Sequence, residues 1–278
     1  MDEYDNNVTR QHPVHKDGDA AEAKHGSKAF RSTGAVRTEK TPPEFNKLLA
    51  LLPPEEMAAI TPDLDFVMLK KGQLLGSIDQ PLEYVYFITA GLGSVVLTTP
   101  EGRRAEAGIF GFEGHVPAPA ITGTSLSLHD VTIQIAGSAY RISYADFRRG
   151  METLELFPKL MMRASEAFAV QLAYTAVSNA VHDISVRLAR WLLMCHDRVP
   201  ANEISLTHDA LSLMLGVRRP SVTTSLHVLE GHGLIRSERG LITIRHRADL
   251  EDYARDAYGK PEEEYRKLMA DLPGDLEV

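Results

Sequence analysis

The spacing of apolar positions changes twice along this chain. Residues 1–40 are polar, mixed in charge and without periodicity, and are expected to form a disordered tail. Its His12, His15 and His25 are scattered rather than grouped as metal ligands. From Pro42 to about Ala59, Phe45, Leu48, Leu49 and Leu52 suggest a short helical region broken at Pro53-Pro54. Between Asp63 and Ser143 the pattern becomes β. Runs such as Phe66–Leu69, Tyr84–Thr89, Ser94–Thr99 and Val131–Ile135 alternate with breaks at Lys71-Gly72, Ala90–Gly93, Pro100–Gly102 and Ala136–Ser138. That spacing predicts a small barrel or double-sheet roll of about eighty residues.

From about Tyr144 to Arg198 the period becomes helical. The stretch Leu156–Val181 contains no Gly, and its one Pro, Pro158, sits in the opening turn. Met161, Ala164, Phe168, Leu172 and Thr175 recur every three or four residues and suggest a coiled-coil dimer seam. Burial inside the monomer is the alternative, and the small polar Thr175, Ser178 and Asn179 weaken a strict zipper. A second helix over Ile184–Met194 places Leu188 and Trp191 inward.

Two short apolar periods follow, separated by Leu215-Gly216-Val217. Leu211, Met214 and Leu215 share one side of a first helix. Val222, Leu226 and Leu229 fall at i, i+4, i+7 on a second. Gly216 suits a sharp turn, Ser212 is small enough for a close crossing, and Pro220 fits the first turn of the second helix. This layout is a helix-turn-helix, and it points to duplex DNA as the partner. Gly231 or Gly233 is expected to stop the second helix. Leu234–Ser237 and Leu241–Arg245 then flank a Glu238-Arg239-Gly240 turn, the hairpin of a winged helix.

A net charge of −8 argues against nucleic acid, but its distribution argues back. From Ser205 to Arg247 six arginines (218, 219, 236, 239, 245 and 247) face three carboxylates (Asp209, Glu230 and Glu238). That local imbalance suits phosphate binding. The single Cys195 excludes a disulfide framework and a four-thiolate cluster. No apolar run approaches the ~20 residues of a membrane span. The acidic start Met-Asp-Glu-Tyr-Asp is not a signal peptide. A cytoplasmic protein with no membrane partner is expected.

The order of roll, long helix and winged helix-turn-helix resembles the Crp/Fnr family of bacterial transcription regulators over about residues 42–255. The resemblance is carried by Leu206-Thr-x-x-x-Leu-x-x-Met-Leu-Gly-Val-x-Arg, Val222-Thr, Leu229-Glu-x-x-Gly-Leu-Ile and the Arg239-Gly-x-Ile-Thr-Ile wing. In the roll, Gly91-x-Gly-Ser, a Pro-Glu-Gly-Arg turn and Ile142-Ser-Tyr-Ala-Asp-Phe147 look alike. The expected fold class is α+β: a tail over 1–40, a cyclic-nucleotide-binding-like sensor β-roll over 41–150, a dimerisation helix over 151–182, a winged helix-turn-helix over 183–258 and an acidic tail over 259–278. The resemblance implies a homodimer on an inverted-repeat operator, with two recognition helices in successive major grooves. RNA polymerase is the expected protein partner.

In the family, the recognition helix opens with an Arg, then a Glu, then a second Arg four further on. Here these positions are Arg219, Pro220 and Thr224, so one reader of three is kept. Arg219 is the candidate guanine contact, worth about 1–3 kcal/mol of discrimination. Thr223 and Thr224 are candidates for a thymine methyl or an adaptable hydrogen bond. Ser221, Arg218 and Arg239 are candidates for the phosphate backbone, with His227 one turn on.

Cyclic-nucleotide binders of this fold have Gly-Glu followed, some ten residues on, by a phosphate-binding Arg. Gly111, Phe112 and Glu113 occupy the first part here, but the Arg position falls near Ser127 and Leu128. A buried phosphodiester without a cation is costly. The sensor is therefore not expected to take cAMP, unless Arg103 or Arg104 forms a non-standard phosphate site. No cofactor and no catalytic residue are expected. Haem ligation by His115 or His129 has no support beyond the residue type. A cupin-like metal enzyme lacks its His-x-His pair, with Glu113-Gly-His115 the nearest approach. The effector and the operator sequence stay open.

Overall fold

The computed structural model describes residues 41–199 and 201–270. The expected tail over 1–40 lies outside the described residues, as do residues 271–278. All described elements belong to one compact unit.

The chain opens with two 3-10 turns, Pro43–Phe45 and Leu49–Leu51, and helix α1 (Pro54–Ile60). Pro54 therefore begins a helix where a break is expected. Proline at a helix start lacks an N–H that would have had no partner there. The roll follows: β1 (Asp65–Leu69), β2 (Leu74–Gly76), β3 (Tyr84–Thr98), β4 (Arg104–Phe110), β5 (His115–Val116) and β6 (Asp130–Ser143). Its main antiparallel path runs β1-β6-β3-β4, with β2 against β6 and β5 against β3.

Two expected breaks are absent. Ala90–Gly93 and Ala136–Ser138 are bent, bulged parts of the long strands β3 and β6, whose register shifts three times between Ile88 and Gly93. The bend brings backbones into close approach. A Cβ on Gly137 would collide with the Ala90 carbonyl, so only glycine fits there.

After the roll come α2 (Tyr144–Thr153), α3 (Leu156–Val181) and α4 (Ile184–His196). The start of α3 is capped from a distance. The buried Glu56 carboxylate on α1 accepts the N–H groups of Glu155, Leu156 and Phe157 at 3.0, 2.7 and 2.8 Å. These donors have no partner within the helix, and negative charge is favoured at its positive end.

The expected seam on α3 faces the chain's own body. Met161 and Ala164 are buried in the core beneath the roll, and Phe168 packs against the roll's own cluster. Leu172 covers Gly108, where a Cβ would meet it at 2.7 Å. Thr175 accepts a hydrogen bond from Arg190 at 3.1 Å. The exposed stripe lies one residue further round: Met162, Glu166, Ala169, Ala173, Ala176 and Ala180. Both faces carry small apolar residues, so periodicity alone does not tell them apart.

The C-terminal part comprises β7 (Glu203–Ile204), α5 (His208–Leu215), α6 (Arg219–Gly231), β8 (Ile235–Glu238), β9 (Leu241–Ile244) and α7 (Arg247–Ala254). Leu188, Leu192, Leu211, Val222, Leu226 and Ile242 are among its core residues. That core continues into the roll through Leu92 and Ile109. The expected acidic tail is structured over much of its length. Lys260–Ala270 form α8, which packs on α3. Lys260 and Lys267 are each within 3.1 Å of both Glu263 and Glu264, pairs that hold the helix surface. Its buried Pro261 and Met269 face inward. No described helix is long and apolar enough to cross a membrane.

Candidate nucleic-acid interface

Local chemistry sets both helices of the motif. α5 starts where the Thr207 hydroxyl accepts the Ala210 N–H at 3.2 Å, an N-cap. It stops at Gly216, whose φ of 62° is left-handed. α6 starts with Arg219 and Pro220. The Ser212 hydroxyl donates to the Val217 carbonyl across the turn. Thr223 Oγ1 lies 3.2 Å from His208 Nδ1, which ties the two helices together.

One face of α6 buries Val222, Ser225, Leu226 and Leu229. The other is open. Arg218, Arg219, Pro220, Thr224 and His227 are exposed, and Ser221 and Thr223 are half-buried at its border. Arg219 Nε is 3.6 Å from Asp209 Oδ1, with both side chains mostly in solvent at 66% and 75% exposure. Such a pair is weak and easily exchanged for a nucleic-acid contact. The Thr223 and Thr224 hydroxyls donate to the carbonyls of Arg219 and Pro220 at 3.3 and 3.1 Å. Their oxygens keep acceptor capacity.

The hairpin β8–β9 turns at Arg239-Gly240, with Glu238 opposite Leu241. Arg239 is exposed at its tip. Glu230 Oε1 accepts the Ser237 N–H at 2.6 Å and fixes the hairpin to α6. Besides the loose Arg219–Asp209 pair, two of the six arginines are engaged by carboxylates nearby. Arg236 pairs with Glu238 at 2.6 Å. Arg247 turns inward to Asp197 and Glu251, each at 2.7 Å. Arg218, Arg219, Arg236, Arg239 and Arg245 are all exposed, and only Arg247 is half-buried.

In the roll, Gly111, Phe112 and Glu113 do come together, beside a residue that sequence reading missed. Arg198 Nε donates to Glu113 Oε1 at 2.6 Å, and both side chains are largely buried. A Cβ on Gly111 would press on Arg198 at 3.0 Å. The Lys47 ammonium stands 5.2 Å over the Phe112 ring. At the expected phosphate position, Ser127 is buried and donates to the His129 carbonyl at 2.8 Å, and Leu128 is exposed. Arg103 and Arg104 are exposed on their hairpin. Among the described residues no three His, Cys, Asp or Glu side chains gather as a metal site.

Arg198 carried little signal in the sequence, because its partner is 85 positions away. Tyr265 was also missed; its hydroxyl donates to the Glu113 carbonyl at 2.8 Å. Its helix was readable from the Lys260–Glu264 and Glu263–Lys267 spacings.

The comparisons agree with this geometry. Residues 186–253 match the family model of the Crp-like helix-turn-helix domain. No curated protein sequence matches the chain. Among solved structures, a protein from Eubacterium rectale assigned to the Crp/Fnr family of transcriptional regulators aligns with a TM-score of 0.59 at 18% identity, covering 77% of this chain and 100% of that one. FixK2 from Bradyrhizobium japonicum gives 0.58 at 17%, covering 69% and 98%. CLP, the c-di-GMP-responsive global regulator of Xanthomonas campestris, gives 0.57 at 14%, covering 70% and 100%. At these identities the likeness is one of fold. The chain thus carries a Crp-like helix-turn-helix domain over residues 186–253 and shares the fold of these solved Crp/Fnr-type structures.

Proposed function

We propose that the protein binds specific duplex DNA as a homodimer and regulates transcription there, with RNA polymerase as its protein partner. The observation that carries this reading is the open face of α6. Arg219, Thr223, Thr224 and His227 line it while the opposite face anchors the helix in its core. Arg219 reads guanine in the major groove, and the two threonines meet neighbouring bases. Arg218, Ser221 and Arg239 hold phosphates and set the register. The exposed 4-3-4-3-4 stripe on α3 supports dimerisation, because paired alanines let two helices approach closely. A two-fold dimer calls for an inverted repeat with half-sites about one helical turn apart.

The roll acts as a sensor for something other than cAMP. Glu113, the candidate ribose partner, is already held by Arg198. No basic side chain stands at Ser127 or Leu128. Selection of bound sites from random duplex DNA tests the whole reading. Recovery of an inverted repeat supports it; recovery of unrelated or asymmetric sequences overturns it.

A further inference from the structure

A cavity of about 550 Å3 lies where the roll, α3 and α8 meet. Leu51, Phe110, Phe112, Val116, Phe168 and Met269 supply apolar wall. Size and lining match a small-molecule site. Two polar groups in it lack partners. Glu113 Oε2 is buried and makes no hydrogen bond, since Arg198 uses the other oxygen. His115 is 6% exposed, and neither ring nitrogen makes a well-formed hydrogen bond. Burial lowers its pKa to about 4, and the Ala118 backbone nearby offsets only part of this. The ring is therefore neutral near pH 7, and the nitrogen not turned toward the Ala118 backbone can pair with a ligand hydroxyl.

We propose that this cavity binds an uncharged aromatic molecule carrying a hydroxyl group, which donates to Glu113 and pairs with His115. The aromatic body follows from Phe110, Phe112 and Phe168 in the wall, with Tyr265 from α8. The lack of charge follows from the interior. Glu113 is matched by Arg198 at 2.6 Å, and Asp197 by Arg247 at 2.7 Å. A buried ionic group would find no spare counter-charge between these pairs and would lose its hydration. Lys47 and Arg266 also line the cavity but are exposed, and the half-buried Glu262 accepts the Gly259 N–H at 3.1 Å. The ligand would touch the roll through Glu113 and the DNA-binding part through Arg198. α8 closes the site, with Tyr265 on the Glu113 carbonyl and Arg163 of α3 on the Leu268 carbonyl at 2.9 Å.

The inference rests on the roll being a sensor and not on DNA binding, so its test contains no DNA. Calorimetry on the full chain compares three probes of one shape: 2-naphthol, naphthalene and 2-naphthoate. The expected result is one 2-naphthol per chain, bound about tenfold more tightly than either other probe, the effect of one good buried hydrogen bond. His115→Phe should bring 2-naphthol close to naphthalene, and Ala164→Trp should abolish binding of both. Should Ala164→Trp not fold, the probe order on the wild-type chain decides by itself. Equal or tighter binding of 2-naphthoate would overturn the proposal in favour of an anion site at Lys47 and Arg266. Failure of all three probes to bind would overturn it outright, whatever the protein does with DNA.

Discussion

The Trp191 indole N–H donates to Glu106 Oε1 at 2.7 Å, joining α4 of the DNA-binding part to β4 of the roll. Both side chains are buried. Burial pushes the Glu106 carboxyl up to about 8, against the pull of Trp191, Ser94 and Arg190. The bond therefore joins a neutral acid to an indole near pH 7. Trp191→Phe keeps most of the volume but leaves a buried oxygen without its donor. The expected loss is about 1–3 kcal/mol in urea unfolding.

Glu106 also sets a pH dependence. Its folded pKa lies above the ordinary 4.5, so the native state holds a proton that the unfolded chain releases. Stability from this group is complete below about pH 4.5 and declines as pH rises toward 8, by up to about 1.4 kcal/mol per unit. Glu106→Gln keeps an acceptor for Trp191 and cannot ionise. Unfolding curves at several pH values in that window should be flatter for Glu106→Gln. An unchanged slope would show that Glu106 does not titrate there.

Glu56 caps α3 with both carboxylate oxygens. Glu56→Ala leaves three N–H groups at a buried helix start without their acceptor. A destabilisation of about 1–3 kcal/mol is expected by chemical denaturation, with Glu56→Gln recovering part of it.

Legibility of the chain followed the range of its interactions. The limits of α3 could be read from a stretch free of glycine, because helix boundaries are local. The inward face of α3 could not, since Ala164 and Ala173 look alike until the roll covers one of them. Trp191 read as buried, but its partner on β4 was out of reach of any local pattern. The helix-turn-helix was legible in detail because Gly216, Pro220 and the apolar spacing are all local signals. In the candidate site the α6 residues lie together as expected, whereas the engagement of Glu113 by Arg198 emerges only from tertiary packing.

The exposed stripe on α3 makes a direct claim about assembly. Ala173→Glu would place like charges across the proposed two-fold seam without touching the monomer's core. Light scattering should show a monomer, with secondary structure by circular dichroism unchanged and operator affinity lowered at least tenfold. A dimer of unchanged stability would move the seam elsewhere.

Arg219 and Arg239 should separate on DNA. Arg219→Ala is expected to remove about 1–3 kcal/mol of preference for matched over scrambled operator. Arg239→Ala should weaken both DNAs equally and shrink the salt slope by about one per half-site. Equal losses on both DNAs for Arg219→Ala would remove it as a base reader.

The most direct measurement is an anisotropy titration of the full chain on labelled duplex pools, run at about 50 mM and about 200 mM salt, with and without 2-naphthol. Binding at low salt that falls by about a thousandfold at the higher salt is expected, as a dimer with six or more phosphate contacts requires. Absence of binding to every duplex at low salt, in either ligand state, would contradict the placement of Arg219 and its helix in the major groove.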